Sequence, residues 1–410
     1  MPDTIAIVGA GHTAVQAIDS LRREGFDGRL VVIGDEPGLP YQRPPLSKKF
    51  LSGELPLERL SLKPAGFYET HRVELRLGQA VESISLERRA LSIAGGEVLA
   101  YDRLLLTTGS VPRHLTVPGH ELEGIHYLRS TADVDRIRAG LQPGARVVIV
   151  GGGYIGLEVA STCRQLGHSV DVLEMTDRVM NRVVAPEISA FFAAEHVRAG
   201  VRIHVGTLVS AFAPREDAPQ RVGRVETMEG TSYPADVVIV GVGVLPNVTL
   251  AAAAGLACEN GIAVDEHTRT SDPHVWAAGD CTNHPSPRYH RRVRLESVDN
   301  AFEQAKTASI NMLGGSIIHD RVPWFWSDQY DLKLLIVGLN FDYDRVVVRG
   351  APDTRSFSCC YLRGTELLAL DCVNNTKDYM AAKKLIADRA HCDPDRLADP
   401  AVALRDTVTG

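Results

Sequence analysis

A chain of 410 residues exceeds what one compact core organises, so two or three domains are expected. Apolar residues at 44% and charged residues at 23% are ordinary for a globular protein and argue against disorder or a coiled coil. A net charge of −7 argues against a general nucleic-acid binder, and seven scattered cysteines without a CxxC pair read as reduced packing residues.

The first strand pattern, TIAIVGAG, begins at Thr4 and leaves no room for a secretory signal. Apolar runs such as DVVIVGVGVLPN are strand-length and glycine-broken, so no membrane span is expected and the chain reads as cytoplasmic. The histidines show neither HExxH nor zinc spacing with cysteine, so no metal site is expected.

The opening segment reads strand, glycine turn, helix, strand: TIAIVGAG, HTAVQAIDSLRREG, RLVVIGDEP. Gly9, Gly11 and Ala14 fit GxGxxG/A: a tight turn, a close approach for pyrophosphate, and close packing of helix on strand. Asp35 and Glu36 end the next strand, where an acid accepts from a ribose hydroxyl. YDRLLLTTGSVPR then reads as a buried strand running into small residues. The plan repeats in RVVIVGGG, YIGLEVASTCRQLG and SVDVLEM, with Gly151, Gly153 and Gly156 as the three glycines and Glu174 as the acid. DVVIVGVGVLPN and VWAAGDCTN are two more buried strands ending on small residues, which let a ligand approach the backbone. RYHRRVR, Arg288 to Arg294, is either a solvated loop or part of a docking face. From about Asp331 the chain reads as hairpins, LKLLIVGL, DRVVVRG, SFSCCYL and ELLALDCV, followed by the helix DYMAAKKLIADRA.

GAGHTA, LPYQRPPLSK, YLRS, GGGYIGLE, GVGVLPN, AAGDC, RLESV and PWFWSDQY together resemble flavoprotein reductases of the glutathione-reductase-like fold. Within that fold the chain is most similar to the NADH-dependent ferredoxin reductases that serve monooxygenases and dioxygenases. The resemblance spans the chain and implies an α/β protein with two Rossmann-like domains and a small C-terminal α+β domain. Residues 1–113 and 240–320 would form a discontinuous FAD-binding domain, 114–239 the NAD-binding domain, and 321–410 the last. Disulfide reductases of this fold carry a CxxxxC pair after the first βαβ unit, where this chain reads PYQRPPLSKKF; a thiol relay has no residue to use.

The resemblance implies FAD at Gly9, Gly11, His12, Thr13 and Ala14, with Asp35 and Glu36 at its adenosine ribose. It places Arg43, Pro45 and Lys48 beside the flavin, Val81 near the adenine, and Thr108, Gly109 and Arg129 along the cofactor. Gly279 and Asp280 fall at the ribityl chain, Val298 and Trp326 at the isoalloxazine, with Trp324 left as core. NADH would take Gly151, Gly153, Tyr154, Ile155, Gly156 and Glu174; Arg182, Gly243 and Glu296 complete the cofactor set.

Tyr154 would act as an aromatic lid, the alternative being a helix-packing ring. Glu158 follows one helical turn later, and the family pattern pairs it with Lys48 near the hydride-accepting nitrogen; the alternative is a structural ion pair. Glu174 favours NADH over NADPH, against the counter-signal of Arg178 and Arg182. The implied partner is a small acidic [2Fe-2S] ferredoxin, met by Arg288, Arg291, Arg292, Arg294, Lys306, Lys333, Lys383 and Lys384. A rubredoxin reductase, an NADH oxidase or an apoptosis-inducing-factor-like protein are the other readings, and monomer and homodimer both stay open.

Overall fold

Aliphatic runs without polar interruption require burial on both faces, as in the strands of a covered parallel sheet. The computed structural model describes residues 3–409, and the chain divides into two compact units. The first comprises Met1–Gln42, Leu57–Val111 and Leu245–Arg321. Its parallel sheet has the order Val275–Ala277, Arg103–Leu106, Thr4–Val8, Arg29–Gly34, Val73–Leu77. Side chains alternate along the central strand. Ile5 and Ile7 share a core with Ala14, Ile18 and Leu21 of helix His12–Arg23, and with Ala305 and Ala308 of helix Val298–Met312. Ala6 and Val8 share the other with Ile84, Leu91, Ile93 and Leu99 of a small antiparallel sheet. Chain order departs in both directions from Thr4–Val8, so the turn after it sits at the switch point of the sheet.

The second unit comprises Arg43–Pro56, Pro112–Val244 and Val322–Gly410. Its parallel sheet has the order Arg202–His204, Ser169–Leu173, Arg146–Val150, Val237–Val240, Ile125–Tyr127. Phe212, Val222 and Val225 of a three-stranded antiparallel sheet join Val148 and Val150 in one core. The same unit holds an antiparallel sheet of order Trp324–Gln329, Leu332–Gly338, Glu366–Val373, Ser356–Arg363, Arg345–Ala351. Helix Thr376–Ala387 packs Tyr379, Ala382 and Ile386 onto Leu335, Val337 and Leu370.

Two details differ from the sequence expectation. Segment Arg43–Pro56, expected with the FAD-binding part, clusters with the second unit. The last sheet also begins earlier than Asp331, because PWFWSDQY supplies its edge strand Trp324–Gln329. Alternation there turns Trp324 and Trp326 toward the helix-covered core and leaves Phe325, Ser327 and Gln329 on the opposite face. Among the described residues no helix is long and apolar enough to cross a membrane.

Candidate nucleotide-binding and redox site

In the first unit the turn closes when the Gly9 N–H donates to the Ile33 carbonyl at 2.8 Å. A Cβ on Gly9, whose φ is +107°, would stand 2.2 Å from the Thr107 carbonyl oxygen, so only glycine fits. A Cβ on Gly11 would meet nothing within 4 Å, and helix His12–Arg23 starts there with no side-chain cap. Open space in front of a helix start that has no side-chain cap suits a pyrophosphate. Thr13 adjoins Gly279, where an added Cβ would lie 2.4 Å from the Thr13 Oγ1. The Gly279 N–H donates to Gln304 Oε1 at 2.7 Å, and Ser110 donates to Asp280 at 3.2 Å. Asp35 is exposed, whereas Glu36 accepts from the Tyr41 hydroxyl.

The other expected residues of this unit have mixed placements. His12 lies beside the Phe302 ring, and Val81 packs at the margin of the core. The Thr108 hydroxyl is committed to the Asn247 carbonyl at 2.6 Å, and the Gly109 carbonyl accepts from Asn247 N–H. Val298 opens its helix behind the Ser297 cap, and Glu296 forms an ion pair with Arg294.

The second turn follows the same register, with Gly151 N–H donating to the Leu173 carbonyl at 2.8 Å. A Cβ on Gly153 would meet nothing within 4 Å, and helix Tyr154–Gln165 also starts uncapped. A Cβ on Gly156 would lie 2.1 Å from the Gly151 carbonyl oxygen. Both turns therefore fit a dinucleotide phosphate. Glu174 is fixed by three donors: Gly152 N–H at 2.7 Å, Thr176 N–H at 2.8 Å and the Thr176 hydroxyl at 2.8 Å. Arg178, weighed as a 2′-phosphate ligand, donates instead to the Asn181 and Val184 carbonyls, both at 2.9 Å. Arg182 lies alongside Gly243, 3.7 Å from where a Cβ would be.

Tyr154 and Ile155 start the second helix, Ile155 exposed and Tyr154 with its ring 4.9 Å from that of Phe325. Burial, with a smaller contribution from the Asp371 charge, holds the Tyr154 phenol well above its usual range, so it stays protonated. One turn on, the buried Glu158 meets Lys48 at 2.5 Å. Its Oε2 also accepts from Ser47 at 2.6 Å, and its Oε1 from Ser327 at 2.7 Å. Lys48 Nζ further donates to the Pro44 carbonyl at 3.1 Å and to the Ser47 hydroxyl at 3.4 Å. A buried pair is tolerated when further hydrogen bonds support both ions, and here each partner has them. Lys48 is presented by the loop of Arg43 and Pro45, whose Arg43 guanidinium donates to the Arg129 carbonyl at 2.7 Å.

Sequence reasoning paired Lys48 with Glu158 but missed Ser47 and Ser327, as well as Gln304 behind Gly279. Ser327 had a signal: in a strand spanning WFWSDQ it shares a face with Phe325 and Gln329, opposite the tryptophans. Trp326 shares the Trp324 face, their rings 5.6 Å apart. Several expected docking residues are locally committed. Arg292 donates to the Val264 carbonyl at 2.9 Å, Lys306 pairs with Glu303 at 2.6 Å and Lys384 with Asp388 at 2.7 Å. Lys383 Nζ lies 4.4 Å from the centre of the Trp324 ring.

Two parallel sheets, each with an uncapped glycine turn and an acid after the next strand, define a two-dinucleotide oxidoreductase. The chain belongs to the pyridine nucleotide-disulphide oxidoreductase family, which it matches over residues 3–305, and carries a reductase C-terminal domain over 324–408. It is 44% identical to the 5,5'-dehydrodivanillate O-demethylase ferredoxin reductase subunit of Sphingobium sp., covering 98% of this chain and 97% of that protein. It is 41% identical to putidaredoxin reductase of Pseudomonas putida, covering 99% and 97%. The solved covalent complex of putidaredoxin reductase with putidaredoxin superposes with a TM-score of 0.95 at 41% identity, covering 99% of this chain and 98% of that one.

Proposed function

We propose that this protein is an FAD-containing, NADH-dependent reductase that passes electrons to a small [2Fe-2S] ferredoxin serving an oxygenase. The observation that carries the reading is the pair of uncapped helix starts behind Gly11 and Gly153, one in each unit. The full-length relatives, one named as a ferredoxin reductase subunit and one as a putidaredoxin reductase, supply the direction of electron flow. Bound FAD supplies the exchange between the two electrons of a hydride and the single electrons an iron–sulfur centre accepts.

The chain's residues bind and orient. The open faces of Gly11 and Gly153 receive pyrophosphates, FAD at the first and NADH at the second, with ribose acids Asp35 and Glu174. Residues 1–113 with 240–320, 114–239 and 321–410 serve as FAD-binding, NAD-binding and C-terminal parts. Glu158 fixes Lys48, which would meet the flavin. The longest Lys48 bond, to Ser47, is the one a cofactor atom displaces most readily. Tyr154 closes over the nicotinamide. The enzyme works in the cytoplasm, where NADH is supplied.

The test is NADH-driven cytochrome c reduction with and without a [2Fe-2S] ferredoxin. Rates that rise strongly with the ferredoxin, with little oxygen consumed in its absence, are expected. Equal rates without it, or reduction only of a rubredoxin, would overturn the reading. Salt should slow the ferredoxin-dependent rate if the basic face takes part.

A further inference from the structure

Behind Glu158 lies a line of polar side chains that nucleotide binding does not require. Ser327 Oγ lies 2.7 Å from Glu158 Oε1, Gln329 Nε2 3.2 Å from Ser327 Oγ, and His196 Nε2 2.9 Å from Gln329 Oε1. Tyr330 Oη closes the line 3.1 Å from His196 Nδ1. Ser327, Gln329 and His196 are all fully buried, so each unmade bond would be costly. Helix Pro186–Arg198 presents His196, and the face of strand Trp324–Gln329 opposite the tryptophans presents the other two.

The donors can be assigned in order. Burial pushes the Tyr330 phenol up and the His196 imidazole down, so the first keeps its proton and the second is neutral near pH 7. A neutral imidazole has one N–H; donating from Nε2 to Gln329 Oε1 leaves Nδ1 to accept from Tyr330. Gln329 Nε2–H then donates to Ser327, whose single hydroxyl proton must go to Glu158. Every bond points toward the carboxylate. The amide in the middle has no readily exchanged proton, so the line orients charge and does not conduct protons.

We propose that His196, Gln329 and Ser327 are positioning residues that fix the orientation and charge of Glu158, and through it the placement of Lys48. The proposal rests on the reading that Lys48 and Glu158 serve the flavin. It assigns Glu158 a carboxylate held by three donors: Ser327 on one oxygen, Lys48 and Ser47 on the other.

The experiment is anaerobic stopped-flow reduction of the FAD-loaded protein by NADH, in a cycle of Gln329→Met, Glu158→Gln and the double variant. Gln329→Met touches neither Glu158 nor Lys48, yet should slow flavin reduction roughly three- to tenfold. The double variant should be no slower than Glu158→Gln alone. Independent, multiplicative effects would mean that Gln329 merely packs, and would overturn the relay. If Glu158→Gln slows reduction and Gln329→Met matches the parent, the relay fails while the Lys48–Glu158 reading stands. If Glu158→Gln leaves the rate unchanged, both fail. Ser327→Ala, a smaller change, should show the same non-additivity and serves if Gln329→Met does not retain FAD. A second readout is independent of turnover: the imidazole 15N resonances of His196, assigned by their loss in His196→Gln. A neutral Nε2–H tautomer at about pH 7 is expected; an imidazolium or an Nδ1–H tautomer would reverse the donor order and overturn the proposal.

Discussion

At the first glycine turn a methyl group stands where the second has a carboxylate. Val8 pairs with Ile33 and Val150 with Leu173, so Gly34 is the register counterpart of Glu174. Gly34 bears no side chain because a Cβ there would lie 2.6 Å from the Ala10 Cβ. In the second turn the small residue is Gly152, where a Cβ would lie 3.2 Å from both Cβ and Oε2 of Glu174. The space is shared in opposite ways: Ala10 with Gly34, Gly152 with Glu174. The first turn therefore moves its acid one residue outward, to the exposed Asp35. The second fastens its acid to the turn and to Thr176. A pre-fixed carboxylate offers its remaining lone pairs to ribose hydroxyls at little ordering cost, and sets a negative charge where a 2′-phosphate would come. Two turns with one sequence grammar thus differ in how selective they can be.

The largest expected effect breaks the packing that the second turn needs. Gly156→Ala drives a Cβ to 2.1 Å from the Gly151 carbonyl oxygen, whereas the first turn already carries Ala14 at this position. NADH saturation kinetics of flavin reduction should show about a ten- to hundredfold loss of efficiency, with FAD content unchanged. Parental kinetics would mean that the two turns tolerate the same third residue, and the contrast would fail. Next comes the acid itself. Glu174→Ala should lower kcat/KM for NADH about tenfold and affect NADPH less, so that coenzyme selectivity falls. Gly152→Ala, which gives the second turn the first turn's residue, should move selectivity the same way by a smaller factor. An unchanged NADH to NADPH ratio in both variants would separate selectivity from the anchored acid.

Both turns and their acids were legible in the sequence because GxGxxG/A between a strand and a helix leaves few other structures. The Ala10–Gly34 exchange was not, since it depends on strand register, which an isolated βα pattern does not fix. Lys48 and Glu158 are 110 positions apart, and their 2.5 Å contact entered only through family resemblance. The hydroxyls of Ser47 and Ser327 were hidden for a simpler reason: serine is common on surfaces, and burial is what turns it into an obligatory donor. Segment Arg43–Pro56 is short and far in sequence from the rest of its unit, so chain continuity does not reveal that grouping.

The smallest effect concerns the feet of the two sheets. Each central strand is tied at its start by an aspartate of the neighbouring segment: Thr4 N–H donates to Asp102 at 2.7 Å, and Arg146 N–H to Asp236 at 2.9 Å. The second foot carries a side-chain fork, Arg146 Nε and Nη2 on the two Asp236 oxygens at 2.9 and 2.7 Å. Those bonds, chiefly, lower the Asp236 carboxyl from its ordinary 3.8 to about 2. A depressed acid contributes stability that is complete above the unfolded-state value and is lost as pH falls through the folded one. Arg146→Thr gives the second foot the residue of the first and should remove this increment. Because Arg146 is 48% exposed, the loss at pH 7 should stay below about 1 kcal/mol. Urea unfolding of parent and variant should show that gap at neutral pH and see it shrink as pH drops from about 4 toward about 2. A gap that does not change with pH would locate the effect in packing of the arginine stem and leave the two feet electrostatically alike.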